Sequence, residues 1–252
     1  MGAVFMIGVK CLLVAASLWG GGGGMAETAT AETGAEPRMD ERAERVTIEV
    51  SLEYLLWLPD GYDEDASAEW PLVLFLHGAG ERGDDLDRVR AWGPPKFATE
   101  GESLPYILVA PQCPADSWWN SGDLLRLLDR IQQDERVDAD RVYVTGLSMG
   151  GYGTWDLAAA APDRFAAIAP VCGGAGTPLF MLERLTDLPI WAFHGSDDDI
   201  VPLSESVQAV ERVRAGGGEA RLTVYEGVGH DSWRRAYADE AFWAWLLSQK
   251  RE

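Results

Sequence analysis

Lysine is scarce in this chain: it occurs only at positions 10, 96 and 250, and the remaining basic charge is arginine. Lys plus Arg total 21 against 41 Asp plus Glu, a formal charge of −20. Such a field repels phosphate backbones and anionic bilayers, so neither nucleic acid nor a membrane surface is an expected partner. A salt-rich habitat and a GC-rich genome are two readings of this Arg-over-Lys, acid-rich balance. Cysteine is limited to positions 11, 113 and 172, and histidine to 77, 194 and 230. Gly and Pro show no overall period, which excludes a collagen-like or low-complexity chain. What is plentiful is apolar: 47% of the 252 residues are hydrophobic and 10% aromatic. That is too rich for disorder, long enough for one α/β domain, and short for two large ones.

Residues 1–26 read as a signal peptide. Cys11–Trp19 (CLLVAASLW) is an apolar run preceded by Lys10, too short to span a bilayer comfortably, and Ala29-Thr30-Ala31 resembles a small-residue cleavage site. The residues before Lys10 are themselves apolar, which a start at Met6 would repair; a start at Met25 or Met39 would remove the stretch altogether. Export to the periplasm or the medium follows from the first reading and a cytoplasmic protein from the second, with no stable membrane insertion after processing. Residues 27–44 are polar and aperiodic and read as a disordered leader, and the folded domain spans 45–252.

From Arg45 on, short apolar runs alternate with helical patterns. Strands are predicted at 45–50 and 54–58 as an antiparallel pair, then at 71–76, 106–110, 141–145, 165–171, 190–194 and 221–225. Helices are predicted at 123–133, 149–160, 203–215 and 236–248. This is an α/β protein with a mostly parallel, doubly wound sheet of about eight strands, helices on both faces, no separate lid domain and an open pocket. Reactive residues belong just past the C-terminal ends of such strands.

Gly146-Leu147-Ser148-Met149-Gly150 is a G-x-S-x-G between a predicted strand and a predicted helix. A turn that sharp strains the central residue and lifts its hydroxyl above the sheet, at the positive end of the helix. Ser148 is the candidate nucleophile; the bland reading is a serine that caps the helix. A nucleophilic serine needs a base, and the base a carboxylate. His77 and His194 each end a strand as His-Gly and suit local hydrogen bonding. His230 lies in the loop after the last predicted strand, where an imidazole can hang over the serine, so it is the candidate base. The acid belongs between the two in the chain. Residues 194–202 (HGSDDDIVP) offer three aspartates, with Asp198 preferred, Asp199 in reserve and Asp197 solvated. Consecutive aspartates rarely converge on one ion and no second ligand cluster has suitable spacing, so no metal is expected.

His77-Gly78-Ala79-Gly80-Glu81-Arg82-Gly83 follows the first buried strand. It lacks the Gly-Lys-Ser/Thr ending of a phosphate-binding loop. Its backbone suits an oxyanion hole: the N–H of Ala79, with Gly78 as the close alternative, and the N–H of Met149. Arg82 is expected to pair internally with Glu81, Asp84 or Asp85 rather than to meet an acidic substrate.

PLVLFLHGAGERGDD, ILVAPQCPADSWW, RVYVTGLSMGGYGTWDLA, PIWAFHGSDDDIVP and VYEGVGHDSW occur in order, and together they resemble the α/β-hydrolase fold. The resemblance is to its small lidless carboxylesterases, a branch described as phospholipase/carboxylesterase-like or prolyl-oligopeptidase-like, and runs from about Arg45 to the C-terminus. It implies a triad of Ser148, His230 and Asp198, the acid being the fourth residue after the histidine of His-Gly-x-x-Asp-x-x-Val-Pro. It also implies an oxyanion loop at 77–80 and hydrolysis of small carboxylic esters without cofactor or metal, with acetyl and feruloyl-type esters among the substrates. The alternatives are a peptidase on the same triad, disfavoured because the chain has no segment for a β-propeller, and a non-catalytic binding protein, disfavoured by an intact triad. Trp118 and Trp119 could wall an acyl or sugar group, or equally cover the edge of the core. In the strand order of this fold Cys113 and Cys172 lie three strands apart, roughly 14 Å, too far for a disulfide, so both are predicted free and buried.

Overall fold

The computed structural model describes residues 51–251. The predicted signal peptide with Cys11, the leader, the strand at 45–50 and the domain start at 45 lie outside the described residues. Among the described residues seven strands form one sheet: β1 (Tyr54–Trp57), β2 (Trp70–Leu76), β3 (Ile107–Pro111), β4 (Val137–Leu147), β5 (Ala167–Val171), β6 (Ile190–Gly195) and β7 (Ala220–Tyr225). Their order is β1-β3-β2-β4-β5-β6-β7. All neighbours are parallel except β1, which runs antiparallel to β3 along the edge, Tyr54 opposite Pro111.

Strand β2 shows why the sheet is covered on both faces. Side chains alternate along a strand. Leu72, Leu74 and Leu76 accordingly enter one core while Val73 and Phe75 enter the other, and all five are buried. Over the first face lie α2 (Ser121–Asp134), α3 (Met149–Ala160) and α4 (Leu203–Ala215). Helix α2 contributes Leu124, Leu127, Leu128 and Ile131, one stripe at helical spacing, and Asn120 caps it by accepting from Asp123 N–H at 3.1 Å. Over the second face lie α5 (Trp233–Tyr237) and α6 (Glu240–Ser248), with Tyr237, Phe242 and Leu246 inward. Each large side chain taken fully out of water in this way contributes roughly 1.5–3 kcal/mol.

Three predicted features are corrected. A helix, α1 (Gly93–Thr99), stands between β2 and β3 where no element was predicted. Its Pro94 and Pro95 look like breakers in the sequence but sit in the first turn, where proline costs no intrahelical hydrogen bond. The predicted 141–145 strand begins four residues earlier, at Val137. The predicted 236–248 helix is two helices, because Asp239 accepts from Ala241 N–H at 2.9 Å and caps a fresh start.

Candidate active site

The turn from β4 to α3 carries Ser148 at φ 54°, ψ −116°, in the left-handed half of backbone space that a serine rarely occupies. The strain is held by close packing: a Cβ on Gly146 would come within 2.4 Å of the Gly150 carbonyl oxygen. Ser148 N–H donates to Val171 O at 2.9 Å, which pins the elbow to β5.

Ser148 Oγ lies 2.9 Å from His230 Nε2. On the other side of the ring, His230 Nδ1 lies 2.8 Å from Asp198 Oδ2 and 3.0 Å from its Oδ1. Asp198 Oδ1 also accepts the N–H groups of Ile200 at 3.0 Å and Val201 at 2.9 Å. Its side chain is wholly buried, whereas Asp197 and Asp199 are exposed. Of the three aspartates, the structure brings Asp198 to His230. The loops that carry Asp198 and His230 are stitched together: Asp197 N–H donates to Val228 O at 2.9 Å and Gly227 N–H to Ser196 Oγ at 2.8 Å. Gly195 makes this approach possible, since a Cβ there would meet Val228 O at 2.2 Å. The arrangement can draw the proton from a serine hydroxyl and hold the resulting imidazolium against a buried carboxylate.

The loop after β2 opens with a short 3-10 turn at Ala79–Glu81, and Met149 opens α3, so its N–H is among those with no intrahelical partner. The loop is fixed by carbonyl contacts. Arg82 donates to Ala79 O at 3.1 Å and to Ser117 O at 3.0 Å, and Gln112 Nε2 to Glu81 O at 2.8 Å. The internal ion pair predicted for Arg82 is therefore replaced by hydrogen bonds that tie this loop to residue 117. His77 is buried beneath it: Cys113 N–H donates to His77 Nε2 at 2.9 Å, so Nδ1 carries the hydrogen given to Gly78 O at 2.6 Å. Burial pushes the imidazole of His77 down to about 4, keeping it neutral.

The two adjacent tryptophans divide. Trp118 is 52% exposed and meets Tyr152 edge-on at 6.1 Å between ring centres. Trp119 is buried, donates to His77 O at 3.2 Å and packs on Gly153, where a Cβ would be 2.8 Å from its ring. Both border a cleft of about 260 Å³ that also includes Cys113, Pro114 and Asn120. A wider cleft of about 720 Å³, lined by Phe165, Arg184 and Pro189, lies at the other end of the sheet, by the starts of β5 and β6 and away from Ser148.

Three neighbours of the Ser148–His230–Asp198 line escape sequence reading. Trp233 stands edge-on to His230 at 5.4 Å, and Tyr152 faces Trp118; their only linear signals are positions three after His230 and four after Ser148. Cys172, at φ 42°, brings its Sγ into one group with ligand atoms of Asp198 and His230, all within 4.8 Å of one another. Burial pushes this thiol up to about 12, and the Asp198 and His230 atoms are already hydrogen-bonded to each other. Cys113 and Cys172 are both free and buried.

A family model described as phospholipase/carboxylesterase matches residues 120–240. The crystal structure of a thermostable esterase superposes with a TM-score of 0.70 at 35% identity, over 80% of this chain and 60% of that one. The chain has the α/β-hydrolase fold. It is 24% identical over 204 residues to the probable feruloyl esterase C of Aspergillus terreus, covering 69% of the chain and 70% of that protein. It is 29% identical over 141 residues to poly(3-hydroxyalkanoate) depolymerase C of Paucimonas lemoignei, spanning 49% of the chain and only 32% of that enzyme. The likeness to the acylaminoacyl peptidase of Pyrococcus horikoshii, TM-score 0.61 at 18% identity, is one of fold. Among the described residues no helix is long and apolar enough to cross a membrane.

Proposed function

We propose that this protein cleaves carboxylic esters through an acyl-enzyme on Ser148. The observation that carries the reading is the unbroken hydrogen-bonded line from Ser148 Oγ through both nitrogens of His230 to the buried Asp198. Asp198 holds the ring in the tautomer with hydrogen on Nδ1, so Nε2 is free to take the serine proton as Oγ attacks the ester carbonyl. The carbonyl oxygen becomes an oxyanion and is received by the N–H groups of Ala79 and Met149, placed by the loop after β2 and the start of α3. As the tetrahedral intermediate collapses, the C–O bond to the alcohol breaks and His230 Nε2 returns its proton to that oxygen. A water then repeats the sequence: it gives its proton to His230, its oxygen attacks the acyl carbon, and acid and free Ser148 are released.

Phenolic acyl esters of the feruloyl type, together with acetyl esters, form the substrate class of this reading. Relatives named feruloyl esterase support it, as does the exposed face of Trp118 beside Tyr152, a platform for an aromatic acyl group. Trp119, buried, serves by setting the loop from which Trp118 projects. The apolar run Cys11–Trp19 supports export, which the N-terminal sequence of the native protein checks.

The test is hydrolysis of p-nitrophenyl acetate, p-nitrophenyl butyrate and methyl ferulate by wild type and Ser148→Ala, beside a matched peptide substrate. Turnover of the esters that falls by about 10³-fold or more in the variant is the expected result. Equal rates for the two proteins, or cleavage of the peptide alone, overturn the proposal.

A further inference from the structure

His194, near the end of β6, takes no step in the reaction above, yet it is wholly buried and lies directly against the triad acid. Its Nε2 is 2.9 Å from the Val201 carbonyl oxygen and 3.2 Å from Asp198 Oδ2. Its Nδ1 is 2.7 Å from the hydroxyl of Ser206, on α4, and that hydroxyl is 2.7 Å from the Gly173 carbonyl oxygen.

The hydrogens can be counted. Carbonyl and carboxylate oxygens only accept, so Nε2 must carry a hydrogen. Ser206 has one hydroxyl hydrogen, and the Gly173 oxygen can only accept it. The hydroxyl therefore turns its lone pairs to the ring, and Nδ1 must carry a hydrogen as well. A neutral ring would set two lone pairs against each other at 2.7–2.9 Å, in a place closed to water. We propose that His194 is a buried imidazolium, the counter-ion on the far side of Asp198, and a positioning residue that acts on the reaction through that carboxylate. Asp198 Oδ2 then stands between two imidazoles, 2.8 Å from His230 and 3.2 Å from His194. This rests on the roles proposed above for Ser148, His230 and Asp198.

The charges around the ring agree. The acid loop supplies one buried carboxylate, Asp198, while Asp197 and Asp199 are exposed. The end of β5 supplies Cys172, whose thiol stays neutral, with Asp231 acting on it. Helix α4 supplies Ser206, and its Glu205 turns to the hydroxyl of Tyr152. The loop after β7 supplies His230, beyond Asp198. A single buried carboxylate thus faces His194, and an unpaired buried carboxylate is costly. With its charge partly compensated, Asp198 attracts less strongly the positive charge that His230 carries during the reaction, and that attraction grows when the charge on His194 is removed.

The first test is nitrogen NMR of the resting wild-type protein at pH 7, which needs no turnover and so stands whether or not the esterase reading holds. Three histidines keep assignment simple, and His77, neutral with hydrogen on Nδ1, is an internal control. Two protonated ring nitrogens at His194 are expected; one overturns the proposal. The second test compares kcat/KM against pH for wild type, His194→Gln and Ser206→Ala. His194→Gln removes the charge, and Ser206→Ala removes the hydroxyl that demands a hydrogen on Nδ1. In both, the acid limb is expected to move to higher pH by about half a unit or more, so activity at pH 5.5 drops more than at pH 8. A loss by the same factor at every pH marks His194 as structural only and overturns the positioning role.

Discussion

A Cβ built on Gly150 would lie 1.9 Å from the carbonyl oxygen of Leu76, so the turn after β4 and the end of β2 are in backbone contact. That contact is what allows the loop bearing Ala79 to approach the serine elbow. Gly150→Ala forces two backbones apart, with no flexible side chain to absorb the strain, and is expected to cost about 3 kcal/mol or more and to abolish ester turnover. Gly80→Ala in the neighbouring loop is the control, since its Cβ would meet nothing within 4 Å. Thermal melts of the two variants check this; equal melting temperatures would refute the packing account.

Trp118 is more than half exposed, and among the described aromatic side chains its ring meets Tyr152 alone. Trp118→Ala is therefore expected to leave the melting temperature within a degree or two of wild type. On the reading above it lowers kcat/KM for methyl ferulate by roughly tenfold, the scale of one lost aromatic contact, while p-nitrophenyl acetate is hydrolysed nearly as before. Trp119→Ala instead empties a core position and lowers stability by about 3–5 kcal/mol. A uniform loss on both substrates in Trp118→Ala would remove it from the acyl site.

Much of this was legible in the sequence because it is written in local patterns. Helices α3 and α4 have the predicted bounds, since each begins at a sharp signal (the elbow, and Pro202); α4 then buries one stripe at helical spacing, whereas α3 is a continuous run of small and apolar residues buried on nearly every side. The elbow, the His-Gly ends of two strands and the loop of His230 are likewise short motifs whose meaning follows from the strand before them. What escaped depends on contacts between distant segments. Helix α1 has seven residues and two prolines, too few for a period to show. Arg82 lies among carboxylates in the chain but folds against carbonyls, Ser117 among them, which lies 35 positions away. His194 stands only four positions before Asp198, but the orientation of its ring is set by the Val201 carbonyl and by Ser206 on α4, which the linear sequence does not bring to it.

The two thiols give a third expectation. Burial pushes Cys172 up to about 12 and raises Cys113 as well, so at pH 8 both remain protonated and enclosed. The thiolate is the nucleophile, and neither site supplies it. Iodoacetamide at pH 8 is expected to leave esterase activity intact and to add no label at these two positions in the native protein, and to label both after denaturation. Native labelling of Cys172 with loss of activity would show that the loop over the triad opens.

His77 gives an acid-stability expectation whose sign is fixed by its shift. Its folded value, about 4, lies below the ordinary 6.5. Above pH 6.5 the ring is neutral in both folded and unfolded chains, so its contribution is fully present. As pH falls from 6.5 towards 4, only the unfolded chain takes up the proton, and stability declines by on the order of 3 kcal/mol. Below about 4 both forms are protonated and the decline from this source ends. His77→Gln offers one donor and one acceptor for the Gly78 oxygen and the Cys113 N–H but does not titrate in this range. Urea unfolding at pH 7 and pH 4.5 should therefore show a smaller pH difference in the variant by about 2–3 kcal/mol, even where its stability at pH 7 is lower. Equal pH differences in the two proteins would mean that His77 is already protonated in the fold, and that Cys113 N–H has lost the acceptor that holds the loop.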